Sequence, residues 1–289
     1  MKILLSSAAC FDESPDIFAA FIAQEEHYLC PNFLSEAYQK ELVSKASTNS
    51  YLIRTPPREI QTGFHSCGFL TTGMRELVVE WKFRVVDSCD YISREVVVQS
   101  TNNLDRYTSL CPVTPWSYQL AAVTSLYTVT KIQKYHKQLS LNFFLALCEG
   151  RFTAKDIEGM ERSMLTALNW RINPPIPIVQ STYLITVALP TIVTKKQLIL
   201  DLTRFLTEVV LSDYAFVHFK PSTIAVAAVF VAIDIVGYAT TMNQTEERQF
   251  MCDVSRLTKV DIFSNDVFRC MDRMKKIYLQ GEFSLAQFE

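Results

Sequence analysis

Residues Pro115–Lys131, PWSYQLAAVTSLYTVTK, carry no charge before the closing lysine. Thr114 and Pro115 mark the start of a helix, with a capping hydroxyl followed by proline in the first turn. A helix that is apolar or small on every side has no face for water, so it belongs inside a bundle. Ala121, Ala122, Thr124 and Ser125 let neighbouring helices approach its backbone closely. The pattern returns about a hundred residues later in Ser222–Val236, STIAVAAVFVAIDIV, after Pro221, which suggests two copies of one helical domain.

The bulk numbers agree. A chain of 289 residues with 49% hydrophobic content and only 7 glycines fits one or two compact, mostly helical domains. A net charge of −2 gives no support for a protein that neutralises nucleic-acid phosphates. The cysteines stand singly with no CxxC pair, which reads as reduced thiols in an intracellular protein, in the nucleus and cytoplasm. His27, His65, His136 and His218 lie far apart, so neither a metal nor a cofactor is expected. The apolar run Ile3–Leu5 is shorter than the roughly 7–15 residues of a signal peptide. Thr223–Ala239 falls short of the ~20 residues of a membrane span and contains Asp234, so it reads as a core helix.

Read in order, Ser14-Pro15-Asp16 opens an amphipathic helix that Pro31 ends, and residues 45–72 read as linker or loop. Five helices are predicted between 73 and 170. In the first, Met74, Leu77, Val78, Trp81 and Val85 share one face and Val79, Phe83 and Val86 the other, with Arg75 and Lys82 between them on one side. Asn173-Pro174-Pro175-Ile176-Pro177 cannot continue a helix and marks a boundary. A second set of helices follows, from Ile178 to Gln280. The expected fold is all-α: an N-terminal helix and linker (1–72), then two five-helix domains (73–172 and 174–282). No P-loop, GxGxxG, HExxH or GxSxG motif is present, so a binding or regulatory role is favoured over an enzyme with catalytic residues.

Several short segments then resemble the cyclin family. Met74-Arg75-Glu76-Leu77-Val78 is similar to the MRAIL-type segment, with Trp81 at the usual offset. Asp105-Arg106 resembles the D-R pair of the second helix, Gln119-Leu120 the Q-L opening the central helix, and Lys131 its close. Met160-Glu161 and Leu168-Asn169-Trp170 resemble the segments that complete the first box, and Pro221-Ser222 with Ala225 the opening of the second box's central helix. The resemblance implies a non-catalytic subunit that binds and activates a cyclin-dependent kinase in cell-cycle control, without membrane or nucleic-acid partners.

It implies roles for individual residues as well. Lys131 and Glu161, with Ile132 and Trp170, would bind the kinase, helped by the helix that starts at Asp16. Met74, Leu77, Val78, Trp81 and Gln119 would form a groove for short substrate motifs of the RxL type. Arg75, Asp105 and Leu120 would be structural, the first two as a buried ion pair. Arg84 is a departure, standing where the family usually has a glutamate that receives the motif's arginine. It implies docking motifs that are apolar but not basic, or weak recruitment. Ile132-Gln133-Lys134 also departs from the usual aromatic and acidic residues after the lysine, which bears on the choice of kinase. The alternatives are a cyclin-fold transcription-associated factor, which should show a basic face and a zinc ribbon, and a helical interaction scaffold.

Overall fold

The structure, a computed structural model, describes residues 15–48, 68–135, 139–189, 195–237, 242–281 and 283. Most of the loop expected over 45–72 lies outside these residues, as do His65, Cys67 and His136. Among the described residues the chain forms twelve α-helices and two short 3-10 turns, with no strand. It divides into two compact units, Cys30–Pro174 and Met1–Leu29 together with Pro175–Glu289. The helices are α1 (Pro15–Glu25), α2 (Glu36–Thr48), α3 (Thr72–Asp87), α4 (Glu95–Leu110), α5 (Pro115–Ile132), α6 (Leu141–Leu147) and α7 (Ala154–Ala167). They continue as α8 (Pro177–Val187), α9 (Lys196–Val209), α10 (Pro221–Val236), α11 (Gln244–Thr258) and α12 (Asn265–Gln280). The fold is therefore all-α with tandem five-helix repeats, α3–α7 and α8–α12.

In the unit Cys30–Pro174, α5 is the hub and packs chiefly on α4 and α7. Its start follows from chemistry legible in the sequence. The Thr114 hydroxyl accepts from the Ser117 amide, the Ser117 hydroxyl accepts from the Thr114 amide, and Pro115 occupies the first turn without needing a donor partner. Leu120, Ala121, Ala122 and Leu126 are buried, and so are Thr124, Ser125, Thr128 and Thr130. The hydroxyls of Ser125, Thr128 and Thr130 can be carried inward because each donates to a carbonyl three or four residues back.

Helix α2 is an element that sequence reading did not single out. Its hydrophobic pattern is weak, and it is anchored by polar contacts instead. Tyr38 donates its hydroxyl to the Ser109 carbonyl at 2.9 Å, while the Gln39 amide bridges the backbone of Leu70 in both directions. These are tertiary bonds that periodicity does not encode.

In the other unit α10 is the hub, packed against α8, α9 and α12, and every residue from Ser222 to Ile233 is buried. It ends at Gly237, whose φ of 97° suits glycine. Helix α1 belongs to this unit. Phe18 is fully buried, with its ring 6.0 Å from that of Tyr183 on α8. Glu25 is buried too, and accepts from the Ser222 backbone amide at 3.0 Å and the Ser222 hydroxyl at 2.8 Å. Lys220, at the N-cap of α10, provides no side-chain acceptor, so a carboxylate from another helix satisfies that orphan donor. Asp234, the charge in the apolar run, lies near the end of α10 and pairs with Lys275 of α12 at 2.6 Å.

Candidate functional site

Helix α3 shows how the first repeat sorts charge. At about 100° per residue, Arg75, Val79, Lys82 and Val86 fall on one stripe, and that stripe is buried. Val79 and Val86 of the second apolar set share the stripe with Arg75 and Lys82, so the charged side chains face the core. Arg75 donates from its Nε and terminal nitrogen to both oxygens of Asp105 on α4, at 3.0 and 2.9 Å. Both residues are buried and form the planar two-bond pairing that suits guanidinium and carboxylate. Arg106, beside Asp105, donates to the Arg171 carbonyl at 2.6 Å. Asn103 donates to the Ile172 carbonyl at 2.9 Å and Gln99 to the Asn173 side chain at 3.3 Å. The chain leaving α7 is thereby pinned along α4.

Lys82 is the residue whose place sequence reading missed. It is fully buried, and its amine donates to the Ser125 hydroxyl at 3.0 Å. Burial pushes its pKa down to about 7, with Asp105 acting against that shift and Arg75 with it. One signal was present: Lys82 lies seven positions after Arg75, on the same helical stripe, and Arg75 was already expected to be buried.

At the end of α5, Lys131 reaches both carboxylate oxygens of Glu161 on α7, at 2.9 and 3.0 Å. The Thr128 hydroxyl lies 3.0 Å from one of those oxygens, and the lysine stands 4.9 Å over the Tyr127 ring. Partial burial pulls the Lys131 pKa down, but the hydrogen bond and charge of Glu161 together outweigh it, so the net shift is upward. The Lys131 side chain is 42% exposed, against 13% for Glu161. Ile132 is exposed beside it, and Gln133 donates to Gln99 at 2.9 Å. Trp170, just past α7, is 73% exposed and adopts φ of 60°, a conformation uncommon for a bulky residue.

On the outer side of α3, Leu77 is 64% exposed while Met74, Val78 and Trp81 are half-buried. Gln119 is exposed in the second turn of α5, and Leu120 beside it is buried. Arg84 is exposed and approaches Glu80 at 3.9 Å.

Two helical repeats of this kind, each built on a buried central helix, define a tandem cyclin fold. A viral cyclin from herpesvirus saimiri has the same fold, with a TM-score of 0.57 at 17% identity over 74% of this chain and 89% of that one. Residues 22–173 match the family model of the cyclin N-terminal domain, and residues 188–285 that of the cyclin C-terminal domain. The chain belongs to the cyclin family. Among curated relatives, G2/mitotic-specific cyclin S13-7 of Glycine max is 26% identical over 60% of this chain and 64% of its own length. Putative cyclin-B3-1 of Arabidopsis thaliana is 28% identical over 55% and 38%, and G2/mitotic-specific cyclin-B2 of Oryzias luzonensis 27% over 65% and 48%. The chain thus spans less than two thirds of each of these relatives. Among the described residues no helix is long and apolar enough to cross a membrane.

Proposed function

We propose that this cyclin is the non-catalytic regulatory subunit of a cyclin-dependent protein kinase, acting in cell division as the names of its G2/mitotic-specific relatives suggest. The observation that carries this reading is the Lys131–Glu161 pair, held at an accessible edge of the first repeat with Ile132 exposed beside it. Both side chains end in groups able to bond a partner's main chain. The lysine has three donors and the carboxylate several acceptor positions, so each can serve the other and a partner together. Exposed Trp170 offers an aromatic anchor of the type enriched in interface hot spots.

Activation would then be a population shift. A partner that binds a kinase's competent arrangement preferentially raises that population. Going from about 1% to 99% needs ~10⁴-fold preference, which calls for a broad interface. The exposed strip of α3 around Leu77 and Trp81, with Gln119, would serve separately as a docking groove for short substrate motifs.

The test is co-expression with candidate kinases from the source organism, affinity capture, identification of the co-purifying kinase and a phosphotransfer assay. One kinase should co-purify and be stimulated, while the chain alone transfers no phosphate. Absence of any stimulated kinase, or phosphotransfer by the chain alone, would overturn the reading.

A further inference from the structure

Helix α12 carries large apolar side chains well outside its buried stripe, which runs through Val267, Cys270, Met274 and Tyr278. Phe268 is 49% exposed, and Leu279, 73% exposed, stands about three turns further on and about 20° round the helix. The two therefore lie on one line along the surface. Phe263, in the turn just before α12, is 70% exposed. It and Phe268 flank the Ser264 cap where a hydrophobic staple would join them, yet their rings make no contact among the described residues. Single exposed apolar residues are ordinary, whereas several on one line mark a contact.

The charges beside this line specify its occupant. Asp272 and Lys276 lie about 40° and 80° round from Phe268, both on one flank. Both are exposed, and neither is held in an ion pair or hydrogen bond among the described residues. Lys275, on the opposite flank, is taken by Asp234 of α10 at 2.6 Å. Phe268 and Leu279 are equally distant from the point between Arg273 and Met274. A two-fold axis through that point, with the helices antiparallel, sets each Phe268 against Leu279 of the other copy. The same axis keeps the charged flanks of both copies on one side. Asp272 then falls within one residue of level with Lys276 of the other copy, and the pairing occurs twice. A two-fold contact demands that residue i meet j while j meets i. The apolar and the charged positions both satisfy that demand, which a face shaped for an unrelated helix has no reason to do.

We propose that the chain self-associates through α12 as an antiparallel, two-fold symmetric dimer. The proposal is independent of the kinase reading, which places its residues in the first repeat. A single helix pair buries less than the roughly 1,200–2,000 Å² of stable complexes, so the dimer is reversible, with a dissociation constant on the order of tens of micromolar.

The experiment is sedimentation velocity of the full chain from low micromolar to several hundred micromolar, with amide exchange measured at both ends of that range. The chain should pass from monomer to dimer, with added protection centred on α12. Leu279→Glu, at an exposed site near the helix end, should weaken association more than tenfold, since it sets a charge against Phe268. Asp272→Lys alone and Lys276→Asp alone each place like charges across the axis and should weaken it about tenfold at low salt, less at high salt. Asp272→Lys combined with Lys276→Asp should restore it, because the pairs are merely exchanged. Circular dichroism and the unfolding midpoint show that each variant keeps its fold, and kinase capture should be unchanged in all of them. A chain that stays monomeric at every concentration would overturn the proposal. So would a dimer that ignores Leu279→Glu or gains its protection away from α12. Failure of the double charge exchange to recover what the single changes lose would overturn the antiparallel register.

Discussion

Lys82 on α3 donates to the Ser125 hydroxyl on α5 at 3.0 Å, and that hydroxyl donates onward to the Ala122 carbonyl at 2.8 Å. The hydroxyl's one proton is engaged by the carbonyl, so it meets the lysine as an acceptor. A charged ammonium has three donors to place and a neutral amine two, so a site that offers one acceptor among the described residues favours the neutral form.

Stability of the first repeat should therefore depend on pH. Folding lowers the Lys82 pKa from 10.5 to about 7. Below pH 7 the lysine is charged in both states and the cost of burying it is present in full. As pH rises through 7 the folded chain loses the proton while the unfolded chain keeps it, so stability climbs until about 10.5. Lys82→Met, with similar length and no charge, should raise stability by a few kcal/mol at pH 6.5 and abolish the slope. Denaturant unfolding at pH 6.5, 7.5 and 8.5 measures both. A flat profile for the unaltered chain would contradict the account.

Arg75 and Asp105 should behave as a unit. Asp105→Leu removes the carboxylate that balances a buried guanidinium and should cost about 3–5 kcal/mol. Arg75→Met with Asp105→Leu should recover most of that loss, because the two charges are removed together. The Lys82 site feels both members with opposite sign, so the double variant alters it little. A double-mutant cycle on thermal unfolding tests this, and purely additive losses would refute the coupling.

Glu25 should protect the first turn of α10. Burial pushes its carboxyl above the usual range, against the two bonds from Ser222 that pull it down. An acid whose folded pKa is raised favours folding at low pH, and that support is lost as pH rises through the folded value. Glu25→Ala should speed amide exchange at Ser222 about tenfold and leave the middle of α10 protected, since one lost cap is worth ~1 kcal/mol. Exchange unchanged at Ser222 would show that the cap is dispensable.

Lys131→Ala with Glu161→Ala should abolish kinase capture while the helical content and unfolding midpoint stay close to those of the parent. Lys131 is exposed, and Thr128, which faces Glu161, keeps the Thr124 carbonyl 2.9 Å from its hydroxyl. Removing bonded charges from an interface costs ~2–5 kcal/mol, or roughly thirty-fold and more in affinity. Full co-purification of the double variant with its kinase would move the interface elsewhere.

Much of the architecture was legible in the residue order. The largely apolar runs at 115–131 and 222–236 required buried helices, and Thr114-Pro115 and Pro221 mark starts that the structure keeps within a residue. The proline run from Pro174 to Pro177 falls where one compact unit gives way to the other. These features rest on local rules, capping chemistry and periodicity, which act within one or two turns and so are written in adjacent residues.

What the tertiary structure decided are the relations between distant residues. Periodicity divided α3 into apolar faces but could not show that the stripe carrying Arg75 and Lys82 points inward, because partners on other helices, Asp105 and Ser125 among them, make that burial tolerable. Helix α2 carries too weak an apolar pattern to announce itself and is fixed by bonds to Ser109 and Leu70, 71 and 31 residues away. Helix α1 was legible as a helix, yet its place in the unit of the second repeat depends on a buried carboxylate meeting an amide 197 positions later. A chain's own order sets which segments become helices. Which polar groups may be buried is settled only when folding brings their partners within hydrogen-bond reach.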